Sequence, residues 1–121
     1  GSPLMAEQSL EHLAECLRDF AQERNWEQFH SPKNLAMALS VEAAELLEHF
    51  QWMTEDESAK PTPEKLQQIQ EEIGDVLIYL TRIADRLGID PLNAAYKKLE
   101  INHRKYPAEK ARGSAKKYTE L

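Results

Sequence analysis

Glu42 and Glu45 stand three residues apart, and after 26 intervening residues Glu72 and Asp75 repeat the spacing. Residues at i and i+3 project from one helix face, with Cβ atoms about 5–6 Å apart. Two such pairs on packed antiparallel helices would gather four carboxylates around one small volume. Like charges crowded at low dielectric repel and raise each other's pKa. A divalent cation removes that conflict. An all-oxygen donor set suits a hard ion, and carboxylates with water and substrate phosphate are the usual surroundings of Mg²⁺. A carboxylate not fully used as a ligand could take a proton from water, and Glu45 is the candidate for that role. A di-iron carboxylate bundle would need two Glu-x-x-His motifs. The spacing occurs at Glu27 with His30, in the loop before the second helix, and at Glu100 with His103, but neither lies on a helix with an acidic pair, and His49 follows Glu45 by four residues. Acidic pairs also occur on solvated helices, so spacing alone leaves a non-enzymatic helical interaction module open.

Four helical patterns must position these residues, and no strand pattern competes with them. The first, SLEHLAECLRDFAQERN, puts Leu10, Leu13, Leu17 and Phe20 on one face with Ser9 as N-cap. The loop WEQFHSP leads to Pro32, which can open the second helix. That helix is predicted from about Lys33 to Met53, with Leu35, Leu39, Ala43, Leu46 and Phe50 on its core stripe. At about 100° per residue, Glu42 lies about 40° from Leu46, Glu45 about 60° further round, and Glu48 on the far side. TEDESAKPTP lacks periodicity and reads as the longest loop. Thr62 and Pro63 start a third helix that Gly88 ends, and Asp90 and Pro91 start a fourth that stops before Pro107. The remainder is polar and irregular in expectation.

On the third helix Tyr79 continues the stripe of Glu72 and Asp75, while Glu71 is turned off it. Leu66, Ile69, Ile73, Val76, Leu77, Leu80, Ile83, Ala84 and Leu87 fill one broad arc, and Ile78 points elsewhere. A helix apolar on more than one side has more than one partner. Four helices supply few, so burial against a second copy is expected. Short loops favour an antiparallel bundle. The expected fold is therefore all-α, an antiparallel bundle of four main helices.

The 121 residues read as one domain, 5–121, with a polar tail from about 107. The leading GSPL reads as a cloning remnant ahead of Met5. No run suggests a membrane span or a secretion signal, and Cys16 is alone, so a reducing, cytoplasmic setting is expected. The net charge of −6 divides unevenly: residues 1–91 hold 7 Lys/Arg against 18 Asp/Glu (−11), and 92–121 hold 8 against 3 (+5). The acidic bulk argues against binding duplex nucleic acid, which rests on phosphate neutralisation. A basic tail beside an acidic centre suits a smaller phosphorylated ligand that carries metal. The same tail would also serve as a plain solvated surface.

The order E-x-x-E, 26 residues, E-x-x-D resembles the all-α NTP pyrophosphatase superfamily, the MazG-like proteins. ERNWEQFHSPKNL, EAAELLEHFQW, LQQIQEEIGDVLIYL, INHRKYP and KKYTEL are similar to its dCTP pyrophosphatase branch. The resemblance implies Mg²⁺-dependent hydrolysis of a nucleoside triphosphate between the α and β phosphates, and tetramers built from intertwined dimers. It implies metal binding by Glu42, Glu45, Glu72 and Asp75. Trp26, His30, Trp52, Tyr79 and Asn102 match positions that line the nucleoside pocket, and Lys98 one near the phosphates. Leu17 departs from the branch, where a His stands, which leaves base selectivity open. The substrate implied is dCTP, with C5-modified dCTP, or a wider set of nucleotides in the broader MazG-like reading.

Overall fold

The computed structural model describes residues 7–113, and all regular structure among them is helical. There are four long helices, α1 (Leu10–Glu23), α2 (Pro32–Glu48), α4 (Pro63–Arg86) and α5 (Pro91–Lys105), and two short ones, α3 (Glu55–Ala59) and α6 (Ala108–Ala111). No helix among the described residues is long and apolar enough to cross a membrane. The chain divides into two compact units, one reaching Gly88 and the other starting at Ile89.

In the first unit α4 packs chiefly against α2 and secondarily against α1. Two side-chain contacts fix the direction of α2 against α4. At one end Arg82 of α4 reaches His30, just before α2; at the other Lys65 of α4 reaches His49, just after α2. The order reverses along the two helices, so they run antiparallel. Arg18 of α1 meets Asp85 near the end of α4 at 3.4 Å, across an exposed edge where such pairs add little stability. Burial is concentrated at Ala21, Leu35, Ile69 and Ala84, together with Thr81 and Arg82.

The helix starts follow the capping chemistry of the sequence. Ser9, Ser31, Thr62 and Asp90 each accept a backbone N–H from the first turn, and Pro occupies the first position of α2, α4 and α5. The α1 end is a Schellman motif: Asn25 N–H donates to the Gln22 carbonyl, and Trp26 N–H donates to that of Ala21. Asn25 takes the left-handed conformation this requires (φ 56°), which asparagine tolerates. Gly88 has φ 68° just beyond α4.

Several expectations are corrected. The second helix ends at Glu48, not Met53, because His49 and Phe50 turn to i→i−3 bonds and Thr54 adopts the extended cap conformation of the next element. Within the expected loop, Thr54 and Glu57 form a reciprocal capping box that starts α3. WEQFHSP contains a short 3₁₀ turn, Glu27–Phe29, and the expected irregular tail begins with α6; residues 114–121 lie outside the described ones. Ala43 and Phe20 are exposed rather than core, Phe20 with the Arg24 guanidinium 3.6 Å over its ring. Of the arc on α4, Ile69 and Ala84 are buried, but Leu66, Ile73, Leu77, Leu80 and Leu87 are exposed, Ile73 by 53%. The arc is wider than α1 and α2 can cover.

Candidate active site

Antiparallel pairing sets the second half of α2 against the first half of α4, and the glutamates meet there. Glu42, Glu45 and Glu72 each offer a carboxylate oxygen, and the three oxygens lie within 4.8 Å of one another. All three residues are half-buried, whereas Glu48 and Glu71 are exposed, as helical geometry requires of positions off the shared face. Glu42 Oε2 and Glu72 Oε2 are buried without a hydrogen-bond donor. Asp75 is half-buried one turn along α4, outside the three-oxygen group but close enough for its charge to act on Glu72.

Two buried acceptors without donors are costly unless a proton or a cation joins them. Burial, hydrogen bonding with Glu72 and Glu45, and the charges of both push the Glu42 carboxyl up to about 7. Burial likewise holds Glu72 above the usual range, reinforced by Glu45 and Asp75, while the hydrogen bond from Glu42 pulls the other way. Both directions follow from crowding: the cluster disfavours having every carboxylate ionised at once. The donor set, all carboxylate oxygen with unpartnered atoms facing one another, fits a hard divalent ion. A cation there would relieve the same crowding that raises Glu42.

The other end of the α2/α4 pair carries aromatic groups. The Schellman turn places Trp26 edge-on to Phe20, with ring centroids 5.7 Å apart, and to His30 at 6.4 Å. His30 is held where its backbone N–H donates to the Glu27 carbonyl and where Ser31 caps α2. The Asn34 side chain donates to the Phe29 carbonyl beside it. Trp26 is 43% exposed, His30 half-buried and Tyr79 half-buried on α4. Trp52, in the turn after α2, is 89% exposed. Lys98 and Asn102 belong to the second unit, where they share a face of α5 at i and i+4. Leu17, the departure from the expected branch, is half-buried on α1.

One residue escaped the reading by sequence. Glu72, Asp75 and Tyr79 define a stripe on α4 by steps of three and four, and the next step of three is Arg82. It is 3% exposed, donates from Nε to His30 Nδ1 at 3.3 Å, and pairs with Asp85 at 3.5 Å. The stripe itself was the available signal, since it continues past Tyr79 to an arginine on the side of α4 away from the apolar arc.

The helical unit brings together three of the four expected carboxylates, Glu42, Glu45 and Glu72, with Asp75 one turn along α4. The chain belongs to the MazG-like family, whose model matches residues 37–121. It is 47% identical over 117 residues to dCTP pyrophosphatase 1 of Homo sapiens, an alignment covering 95% of this chain and 69% of the relative. To dCTP pyrophosphatase 1 of Bos taurus it is 43% identical over 118 residues, 96% of this chain and 70% of the relative. Among solved structures, a pyrophosphatase from Archaeoglobus fulgidus matches with a TM-score of 0.78 and 44% identity, over 84% of this chain and 94% of that one.

Proposed function

We propose that the chain is a Mg²⁺-dependent nucleotide pyrophosphatase that hydrolyses dCTP, and C5-modified dCTP, to the monophosphate and pyrophosphate, clearing such nucleotides from the pool. The observation that carries the reading is the half-buried cluster of Glu42, Glu45 and Glu72 in a chain 47% identical to a dCTP pyrophosphatase. Glu42, Glu45, Glu72 and Asp75 hold the metal. When bound, Mg²⁺ supplies charge neutralisation at the phosphates and lowers the pKa of water. Glu45 accepts the proton of the water that attacks the α-phosphorus. The bond from that phosphorus to the bridging oxygen breaks, and pyrophosphate leaves. Trp26, at the His30 end of α2, offers a flat face for stacking a base, and Trp52, beyond the other end of α2, keeps its nucleoside role on the family resemblance alone. His30 faces the base, and the Tyr79 hydroxyl meets the sugar. On the family resemblance alone, Asn102 keeps its nucleoside role and Lys98 its phosphate role.

Pyrophosphate release from a panel of deoxynucleoside and nucleoside triphosphates, with Mg²⁺ and with a chelator, tests this. The expected result is release that needs Mg²⁺ and is fastest with dCTP or a C5-modified analogue. No release from any triphosphate would overturn it. Leu17, in place of the branch's His, supports a broader substrate range as a second reading, and the ranking within the same panel decides between the two.

The exposed apolar face of α4 supports assembly of the chain with itself, as a dimer or as a tetramer of intertwined dimers. Leu66, Ile73, Leu77, Leu80 and Leu87 on one helix form a row too apolar to be left in water. Light scattering at micromolar concentration is expected to give a multiple of the 13.9 kDa chain mass. A monomeric mass would reject the assembly.

A further inference from the structure

Arg82 is a buried charge whose use the proposed chemistry leaves open. Its guanidinium pairs with Asp85 Oδ2 at 3.5 Å, its Nε–H points at His30 Nδ1 at 3.3 Å, and its Nη2 is buried without a partner. A buried guanidinium left partly unsatisfied is poor material for stability alone, and replacing such ion pairs with apolar residues is often neutral or stabilising. The contact with His30 spans 52 positions of sequence and ties the entry of α2 to the far half of α4.

The direction of that bond is fixed by chemistry. An arginine Nε carries a hydrogen and cannot accept, so His30 Nδ1 must be the unprotonated acceptor. The ring's hydrogen then sits on Nε2, and a second proton is opposed by burial and by the charges of Arg82 and Arg86, against a smaller pull from Glu27. Arg82 also lies on the stripe of Glu72, Asp75 and Tyr79, ten residues beyond Glu72, or about 15 Å along the axis. One helix face thus runs from the carboxylate cluster to the group that orients the histidine.

We propose that Arg82 is a positioning residue for nucleotide recognition: it locks His30 as the neutral Nε2–H tautomer, so the ring presents a single donor and selects a base with an acceptor atom facing it. The proposal rests on the reading of His30 as a base-facing residue. A base offering a donor at that place leaves two hydrogens opposed and is rejected. Outer groups that fix the tautomer of a working imidazole act in the same way at metal centres.

Imidazole ¹⁵N shifts of histidine-labelled protein report the tautomer directly, with His30→Gln used to assign the signal. Wild-type protein is expected to show Nε2–H at His30 near neutral pH, and Arg82→Met a mixture of tautomers. In the same variant KM for dCTP is expected to rise about tenfold, the loss of one oriented hydrogen bond, with a smaller change in kcat. Arg82→Lys, which keeps the charge but loses the planar donor, restores the fold without restoring KM. An Nδ1–H tautomer in the wild type overturns the proposal even if the variants do not fold. So does a wild-type KM in a folded Arg82→Met protein. A wild-type protein inactive on every triphosphate would strike the enzymatic reading, whereas the resting tautomer would still report on what Arg82 does to His30.

Discussion

Glu42→Gln is expected to raise the melting temperature of the metal-free protein while lowering turnover by roughly 100-fold or more. The two effects have opposite signs because they come from the same crowding. Glu42 Oε2 and Glu72 Oε2 are buried without donors, and Glu45 stands within 4.8 Å of both groups. Above about pH 7, where Glu42 is ionised, an amide of the same shape removes one like charge and can turn its NH₂ toward the Glu72 carboxylate. A hydrogen bond to the half-buried Glu72 carboxylate is stabilising but partly screened by the water that still reaches it. About 1 kcal/mol of net gain would move the midpoint by roughly 4 °C in a domain of this size. The amide is a far weaker ligand for a hard cation than a carboxylate, so the added Mg²⁺ that stabilises the wild type should leave the variant's midpoint nearly unchanged. A Glu42→Gln protein that melts lower and turns over normally would make Glu42 a structural residue.

That trade explains which parts of the site were legible before the fold was known. The identity of the acids was legible because the chemistry dictates residue type and helical period dictates spacing. Glu42 and Glu45 could be separated from Glu48, and Glu72 from Glu71, by angle alone, and their burial divides the same way. The starts of α2, α4 and α5 were legible because Ser31, Thr62 and Asp90 each precede a proline and have one strong local use. The end of α2 was not. Phe50 and Met53 continue a plausible apolar stripe, but the Thr54–Glu57 capping box claims the chain for α3, and a local motif of two hydrogen bonds outweighs a pattern that only tertiary packing would support. Its T-x-x-E signature stood in the sequence, masked by the acidic, proline-bounded setting. Arg82 was missed for a related reason. A charge on the side of a helix away from its apolar arc reads as solvated, and only the contact with His30 reveals that it is 3% exposed.

Magnesium affinity is expected to rise about tenfold per pH unit below about pH 7 and to level off above it, while the metal-free protein becomes less stable across the same window. The Glu42 carboxyl sits at about 7 in the folded chain against 4.5 for an ordinary glutamate. Between those values the folded state holds a proton that the unfolded state has released. Unfolding therefore loses a proton, and the slope of unfolding free energy with pH is negative. The stabilising contribution is complete below about 4.5, declines as pH rises, and is gone above about 7. Glu72, raised as well, adds to the same direction. Below pH 7 a cation must displace the proton of the Glu42 carboxyl, and one proton released per ion gives the tenfold slope. Above it nothing is displaced, so the slope vanishes. Thermal melts in chelator and in excess Mg²⁺, recorded from about pH 5 to 8.5, read both effects at once: the two curves should diverge as pH rises. Parallel curves would mean that protons and the ion do not compete for the same carboxylates, and the cluster of Glu42, Glu45 and Glu72 would lose its assignment as the metal site.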